Sequence, residues 1–363
     1  MIAQWEQKNK RPFIPPLKGW AFLPEVFVKL TKAHKPVDYD HDYDYLTDFW
    51  LGEGRQYEER VELEALKKLL PAQGTSLIDL GGGFGRLAKA YLDRFEQVVL
   101  LDYSLKNLER AQEELLRKHI KKMTLVAADV YNIPFPNSYF EYALCVRVVH
   151  HLQDPLAFFQ ETRRIVKDGG RFILEYANKR NFKEILRFVF RRPHRSPFTM
   201  EPSPVGDRIL NYHPRYIEIT LENSGFKIQE VLSVSNFRQA FLKSFFGSHK
   251  LTLLDSLVQR PLGLMRFGPS IFIRVTALSA GSSQSPDEES PDHGGKRSPF
   301  YGSYSVHLPS GSPKMEDKPY WQPPFQCPAC LSQNILEREN EVRCQSCHRA
   351  YAKRGLIYDF RLP

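Results

Sequence analysis

Asp79-Leu-Gly-Gly-Gly-Phe-Gly-Arg86 is the stretch on which the fold turns. It closes the β-type run SLIDL (76–80) and opens onto RLAKAYLDRF (86–95), whose apolar residues recur at helical spacing. Glycines at 81, 83 and 85 let the backbone take positive φ and approach a ligand with no Cβ in the way. A strand, a glycine turn and a helix in that order make the first unit of an open α/β sheet. Ligands of such sheets bind beyond the carboxyl ends of the strands, where strand order reverses.

The pattern continues outward. QVVLLD (97–102), MTLVAAD (123–129), YFEYALCVRVV (139–149) and RFILEYA (171–177) read as strands. LKNLERAQEELLRKHI (105–120) and DPLAFFQETRRIVKDG (154–169) read as helices, the second stopping at Gly169-Gly170. This alternation predicts a parallel, doubly wound sheet. FKIQEVLSVS (226–235) and SIFIRVTAL (270–278) are candidates for added edge strands. Asp102 and Asp129 end the second and third strands. A carboxylate at the first place can accept both hydroxyls of a ribose, and one at the second the amino group of an adenine. Together they describe a pocket for an adenosine.

With these residues in view, DLGGGFGR, LLDYS, AADVYNIPFPNSYFE and HHLQDP resemble the class I S-adenosylmethionine-dependent methyltransferases, notably the broad group that includes quinone-biosynthesis enzymes. The resemblance covers about residues 57–178. It implies an α/β fold with a doubly wound, mostly parallel Rossmann-like sheet, and S-adenosylmethionine as cofactor. Gly81, Gly83 and Gly85 would line the methionine part, and Asp79 would engage its amino group directly or through water. Asp102, with Tyr103 beside it, would hold the ribose. Asp129 and Val130 would face the adenine, and Arg147 joins the cofactor-binding set. The turn lacks a P-loop Lys-Ser/Thr, which disfavours nucleotide hydrolysis. The glycines alone leave a dehydrogenase open, but an acid two residues before the first glycine fits the methyl donor better.

Methyl transfer from a sulfonium asks the protein chiefly to position the nucleophile and exclude water. A base is needed only where the acceptor must lose a proton. The loop after the fourth strand, Arg147-Val-Val-His150-His151-Leu152, is expected to face the methyl group. His150 and His151 are therefore the candidate bases, although paired histidines also belong to the architecture of the family. Tyr212 and His213 of NYHP are further candidates. The loop lacks the Asn/Asp-Pro-Pro-Tyr pattern of amino-group methylation. Cys145, within an apolar strand, reads as a core residue rather than a covalent nucleophile.

Residues 178–195, NKRNFKEILRFVFRRPHR, set seven Lys/Arg against Glu184 within a wider basic insert, 178–215. Three readings stand: a solvated basic face, a surface for an anionic membrane, and an RNA groove. A second basic apolar stretch, Phe237–Phe246, and the lack of an aromatic RNA-binding motif favour the membrane over RNA.

The chain has five cysteines in 363 residues, too few for a disulfide scaffold. Four of them form two CxxC knuckles, Cys327/Cys330 and Cys344/Cys347. Four thiolates at this spacing predict a tetrahedral, structural zinc site that stabilises a small C-terminal zinc ribbon, 323–363. The ribbon resembles methyltransferase-associated zinc-ribbon modules, and its role stays open: recognising substrate, binding a partner, or clamping its own catalytic domain. A Pro- and aromatic-rich arm (1–56) precedes the catalytic region (57–279), and a Ser/Pro/Gly-rich linker (280–322) leads to the ribbon.

The net charge of +9 permits an anionic partner without requiring one. No run approaches the ~20 apolar residues of a membrane span, so the expectation is a cytoplasmic, at most membrane-peripheral, protein. The leading function is methylation of a small-molecule or lipid-like hydroxyl or carbon, with no obligate protein partner. The alternatives are an RNA methyltransferase and a non-catalytic cofactor-fold scaffold. The scaffold has no need for Asp79, Asp102 and Asp129 together.

Overall fold

The computed structural model describes residues 55–116, 122–190, 196–206, 209–279 and 323–362. The arm up to residue 54, the linker 280–322 and Arg191, Arg192 and Arg195 of the insert lie outside the described residues. Helix α1 (Gln56–Leu69) leads into β1 (Gly74–Leu80), β2 (Phe95–Asp102), α2 (Leu105–Ala111), β3 (Met123–Ala127), β4 (Phe140–Cys145), α3 (Pro155–Ile165) and β5 (Val166–Ala177). Then come α4 (Phe182–Val189), the small hairpin β6 (Ser203–Val205) and β7 (Ile209–Asn211), α5 (Pro214–Asn223), β8 (Phe226–Val234), α6 (Ala240–Met265) and β9 (Ser270–Ala277). The cysteine segment forms β10 (Ile335–Glu337), β11 (Glu341–Cys344), β12 (Ala350–Arg354) and β13 (Ile357–Asp359).

Among the described residues eleven strands join in one sheet, ordered β10-β11-β12-β13-β3-β2-β1-β4-β5-β9-β8. From β13 to β5 every pairing is parallel. The expected edge strands are present as an antiparallel pair, with β9 against β5 and β8 outermost. Strand order reverses at β1, from β1-β2-β3 on one side to β4-β5 on the other, so the crevice of the sheet opens beyond the ends of β1 and β4.

Both faces of the sheet are covered, which is why its central strands carry apolar residues on both faces. Leu77, Val98, Leu100 and Leu125 point to the layer holding α1, α6 and Tyr91. Ile78, Leu80, Val99, Leu101 and Val126 point to the layer holding α3 and α5. The cysteine module obeys the same alternation, Ile357 joining the first layer and Tyr358 the second.

Three expected elements differ. Residues 86–95 form only a short 3-10 turn, Ala88–Ala90, instead of a helix. Here tertiary contacts override the local pattern: Arg86 reaches Glu62 at 2.7 Å, and the Tyr91 hydroxyl turns inward to Asp79. The helix expected over 105–120 is α-helical through Ala111 and continues as a π-turn, Gln112–Leu116, with 117–121 outside the described residues. The helix expected to run to Gly169 stops at Ile165, because Val166 is already paired with Phe140.

Candidate active site

The glycine turn leaves β1 with φ of 72° at Gly81, 59° at Gly83 and 79° at Gly85. A Cβ at Gly81 would lie 2.4 Å from Val148 Cγ2, and one at Gly85 2.2 Å from Leu115 Cδ1. Both positions thus exclude any side chain. Gly83 differs: a Cβ there would meet nothing closer than Asn107 Nδ2 at 3.9 Å. The turn is packed from behind at two glycines and open at the third, which is the shape of a backbone cradle.

Asp102, at the end of β2, faces that cradle. Its Oδ2 accepts from the Gly83 amide at 2.8 Å and its Oδ1 from the Ser104 amide at 2.9 Å. Tyr103 follows directly, and Asp129 lies beyond the end of β3, half-buried, its Oδ1 capping the Tyr131 amide at 3.0 Å. Val130 is half-buried beside it against the core.

Asp79 sits behind the glycines rather than in front of them. It is buried and accepts from Tyr91 Oη at 2.7 Å. Burial pushes its carboxyl up to about 7, the neighbouring Asp102 adding to the effect and the Tyr91 hydrogen bond opposing it.

The loop after β4 closes the other side. Arg147 adopts φ of 62°, its amide donates to Glu175 Oε2 at 3.0 Å, and its guanidinium grips Glu62 at 2.5 Å. Glu62 is fully buried on α1. Burial alone would raise its carboxyl, but Arg147 and Arg86 together hold it below the usual carboxylate range. Arg147 therefore ties the loop to α1. Glu62, Arg86 and Glu175 are members of this site that sequence reading missed, since a glutamate within an amphipathic helix carries no local signature.

His150 and His151 lie on a 3-10 turn, Val149–His151, with ring centroids 4.2 Å apart. His150 is buried and its Nδ1 has no hydrogen-bond partner among the described residues. Burial, followed by the charges of His151, Arg147 and Arg238, holds the ring far below the usual histidine range, as a neutral imidazole. The NYHP candidates have structural duties: the Tyr212 hydroxyl donates to the Leu152 carbonyl, and His213 caps α5, its Nδ1 accepting from the Arg215 amide at 3.2 Å. Cys145 is fully buried in the core, as expected.

Residues 78–174, from within β1 to within β5, match the family described as a methyltransferase domain. This stretch is a class I methyltransferase domain. Over 211 residues the chain is 25% identical to a Mycolicibacterium smegmatis protein named "Probable S-adenosylmethionine-dependent methyltransferase", covering 56% of this chain and 72% of that one. Over 129 residues it is 33% identical to the demethylmenaquinone methyltransferase of Protochlamydia amoebophila, covering 34% of this chain and 53% of that relative, about half its length. A solved S-adenosylmethionine-dependent methyltransferase from Mesorhizobium loti aligns with a TM-score of 0.41 at 19% identity, covering 60% of this chain and 97% of that one.

Against the outer edge of the methyltransferase domain stands the cysteine module. Sγ atoms of Cys327 and Cys347 are 3.7 Å apart, those of Cys330 and Cys344 3.5 Å, and all four lie within 4.8 Å of one another. Thiolates about 2.3 Å from one tetrahedral ion stand about 3.8 Å apart, so the set fits zinc in size and softness. The knuckles are alike in backbone: the residue after each second cysteine, Leu331 and His348, is left-handed at φ of 60° and 62°. His348 is exposed and outside the four-cysteine group.

The module is joined to the methyltransferase domain by more than sequence. β13 extends the sheet in parallel with β3, in register from Ile357 beside Leu125 to Asp359 beside Ala127. Phe325 packs on Phe135 at 5.5 Å between centroids and on Phe360 at 4.8 Å. Arg361 donates to the Tyr103 carbonyl at 3.2 Å and lies 5.5 Å over the Tyr103 ring. The last described turn of the chain thus reaches the residue next to Asp102.

Proposed function

We propose that this chain transfers a methyl group from S-adenosylmethionine to a small-molecule or lipid-like oxygen or carbon acceptor. The observation that carries this reading is the cradle open at Gly83 with the Asp102 carboxylate anchored across it. The cofactor would supply an already activated methyl group, so the residues need only bind, orient and keep out water. Asp102, held by two amides, would accept from the ribose hydroxyls, with Tyr103 steadied by Arg361. Asp129 and Val130 would border the adenine. Gly81, Gly83 and Gly85 would pass close to the methionine part, and Asp79 would favour its ammonium from behind the turn. Arg147 would fix the loop that carries His150 and His151. The neutral His150 ring would offer Nδ1 to the acceptor as a hydrogen-bonding group, its depressed basicity suiting orientation more than proton storage.

Likeness to a relative named as a demethylmenaquinone methyltransferase supports a lipid-like acceptor. Zinc held by Cys327, Cys330, Cys344 and Cys347 would be structural, because four protein ligands leave no open position. Among the described residues no helix is long and apolar enough to cross a membrane.

Tritiated methyl transfer into a cell lysate, fractionated into lipid, protein and RNA, tests the reading. Label in lipid or small-molecule fractions supports it; label confined to RNA or protein replaces it. Asp102→Ala should weaken cofactor affinity in calorimetry by about 100-fold, since each hydrogen bond to a charged group contributes roughly 1.5–3 kcal/mol. An unchanged affinity refutes the pocket assignment.

A further inference from the structure

Helix α6 buries several polar side chains and exposes much of its apolar surface. Leu251, Thr252, Asp255, Gln259 and Gly263 form its buried stripe. Asp255 accepts from Tyr57 Oη at 2.6 Å and from the Asn236 amide at 2.7 Å, and Gln259 donates to the Val61 carbonyl at 3.2 Å. Gly263 lets the helix press onto β8, where a Cβ would lie 2.1 Å from the Val231 carbonyl oxygen. Four leucines face outward: Leu253, Leu254, Leu257 and Leu264 are exposed, the last two at 78% and 79%. Before the kink at Gly247, Phe241, Phe245 and Phe246 are exposed as well, Phe245 at 81%. Helices of soluble domains turn their apolar stripe to the core. A contiguous apolar surface turned the other way marks a binding face.

The face continues onto α4. The Phe182 amide donates to the Phe267 carbonyl at 2.9 Å, and the Arg180 guanidinium lies 5.7 Å over the Phe267 ring. These contacts seat the start of α4 against the end of α6. Phe182, Val189 and Phe190 of this segment are exposed, Phe190 at 72%.

Charge selects the occupant. Lys183 and Lys250 are exposed on the two helices. Their acids are Glu184, bound to Arg187 at 2.8 Å, and Asp255, buried on the inner side. Arg191 and Arg192 follow α4 in the sequence. An apolar face edged by cations, with its acids neutralised or turned inward, complements anionic lipid headgroups.

We propose that α4 and α6 together form a docking face for an anionic bilayer, with phenylalanine and leucine side chains entering the boundary between headgroups and acyl chains. This does not rest on the identity of the methyl acceptor, and its test needs no turnover. The full chain is sedimented with phosphatidylcholine vesicles with and without phosphatidylglycerol. Binding should require the anionic lipid and weaken about tenfold as ionic strength rises from low to physiological. Phe245→Asp with Leu257→Asp should lower partitioning by about tenfold or more. Lys183→Glu with Lys250→Glu should lower it separately while leaving the apolar face intact. All four positions are exposed, and an unchanged melting temperature confirms that each variant is folded. Absence of vesicle binding, or binding indifferent to both pairs, overturns the proposal. So does a wild-type dimer that Leu257→Asp dissociates without any vesicle binding, because the face is then an interface between copies. Vesicle binding that appears only after residues 1–54 are removed also overturns it, by assigning the face to the chain's own N-terminal arm.

Discussion

At the scale of single residues, the site is organised by carboxylates that play different parts. Asp102 is the one that holds backbone on both oxygens and still faces the open cradle. Asp79 is withdrawn from solvent, and its consequence is a pH dependence with a definite sign. Its carboxyl titrates at about 7 in the folded chain against an ordinary 3.8. Between those values the folded state keeps a proton that the unfolded state has lost. Stability is therefore greatest below the lower value, falls as pH rises, and levels off above about 7. Asp79→Asn should remove this fall. Urea midpoints at acid and neutral pH check it, and parallel pH profiles for both proteins would show that Asp79 is not the source. Glu62 has the opposite sign: its depressed carboxyl stabilises above its unfolded value and loses that effect as pH falls. The glycines and the two strand-end acids were legible in sequence because each obeys a local rule of position. Glu62, Arg86 and Arg361 were not, because each acts across a long sequence separation and only the folded chain brings its partner near.

At the scale of elements, periodicity told strand from helix but not which way an element faces. The four central parallel strands, β5 and the antiparallel pair were readable from alternating apolar runs. The helix expected at 86–95 was not formed, because two side chains of that segment are drawn into buried polar contacts with Glu62 and Asp79. Helix α6 makes the same point more sharply. Leu253, Leu254, Leu257 and Leu264 have the spacing of a core stripe, yet the folded chain buries Asp255 and Gln259 with Leu251 instead, because Tyr57 and Asn236 supply donors for Asp255. Three-residue β13 carries no signal of which edge it would join. Its contribution is nonetheless testable. Purified chain should contain one zinc. Chelation, or Cys344→Ser, should unfold β10–β13 and uncover the β3 edge together with Phe135. Phe325, Tyr358 and Phe360 would then lose burial, at roughly 1.5–3 kcal/mol for each large apolar side chain. The melting temperature should fall by several degrees and Asp102-dependent cofactor affinity should weaken with it. A metal-free chain with native melting behaviour would overturn the assignment of the four cysteines.

At the scale of the whole molecule, a doubly wound sheet has been lengthened at one edge by an antiparallel pair of strands and at the other by the cysteine module. The first extension was visible in the strand pattern. The second was visible only as a cysteine motif, with substrate recognition, partner binding and self-clamping all open. The continuous sheet through β13 and β3 favours the last. This arrangement also fixes an order of events during synthesis. The strand that covers β3 is translated long after β3 itself, so the nascent chain carries a bare parallel edge beside an apolar patch at Phe135 while the intervening residues are made. Such edges recruit other strands and invite aggregation. With zinc as the ion proposed for the four cysteines, closure would depend on its arrival, and a cell short of zinc should show it first as insoluble, newly made protein rather than as a slower enzyme.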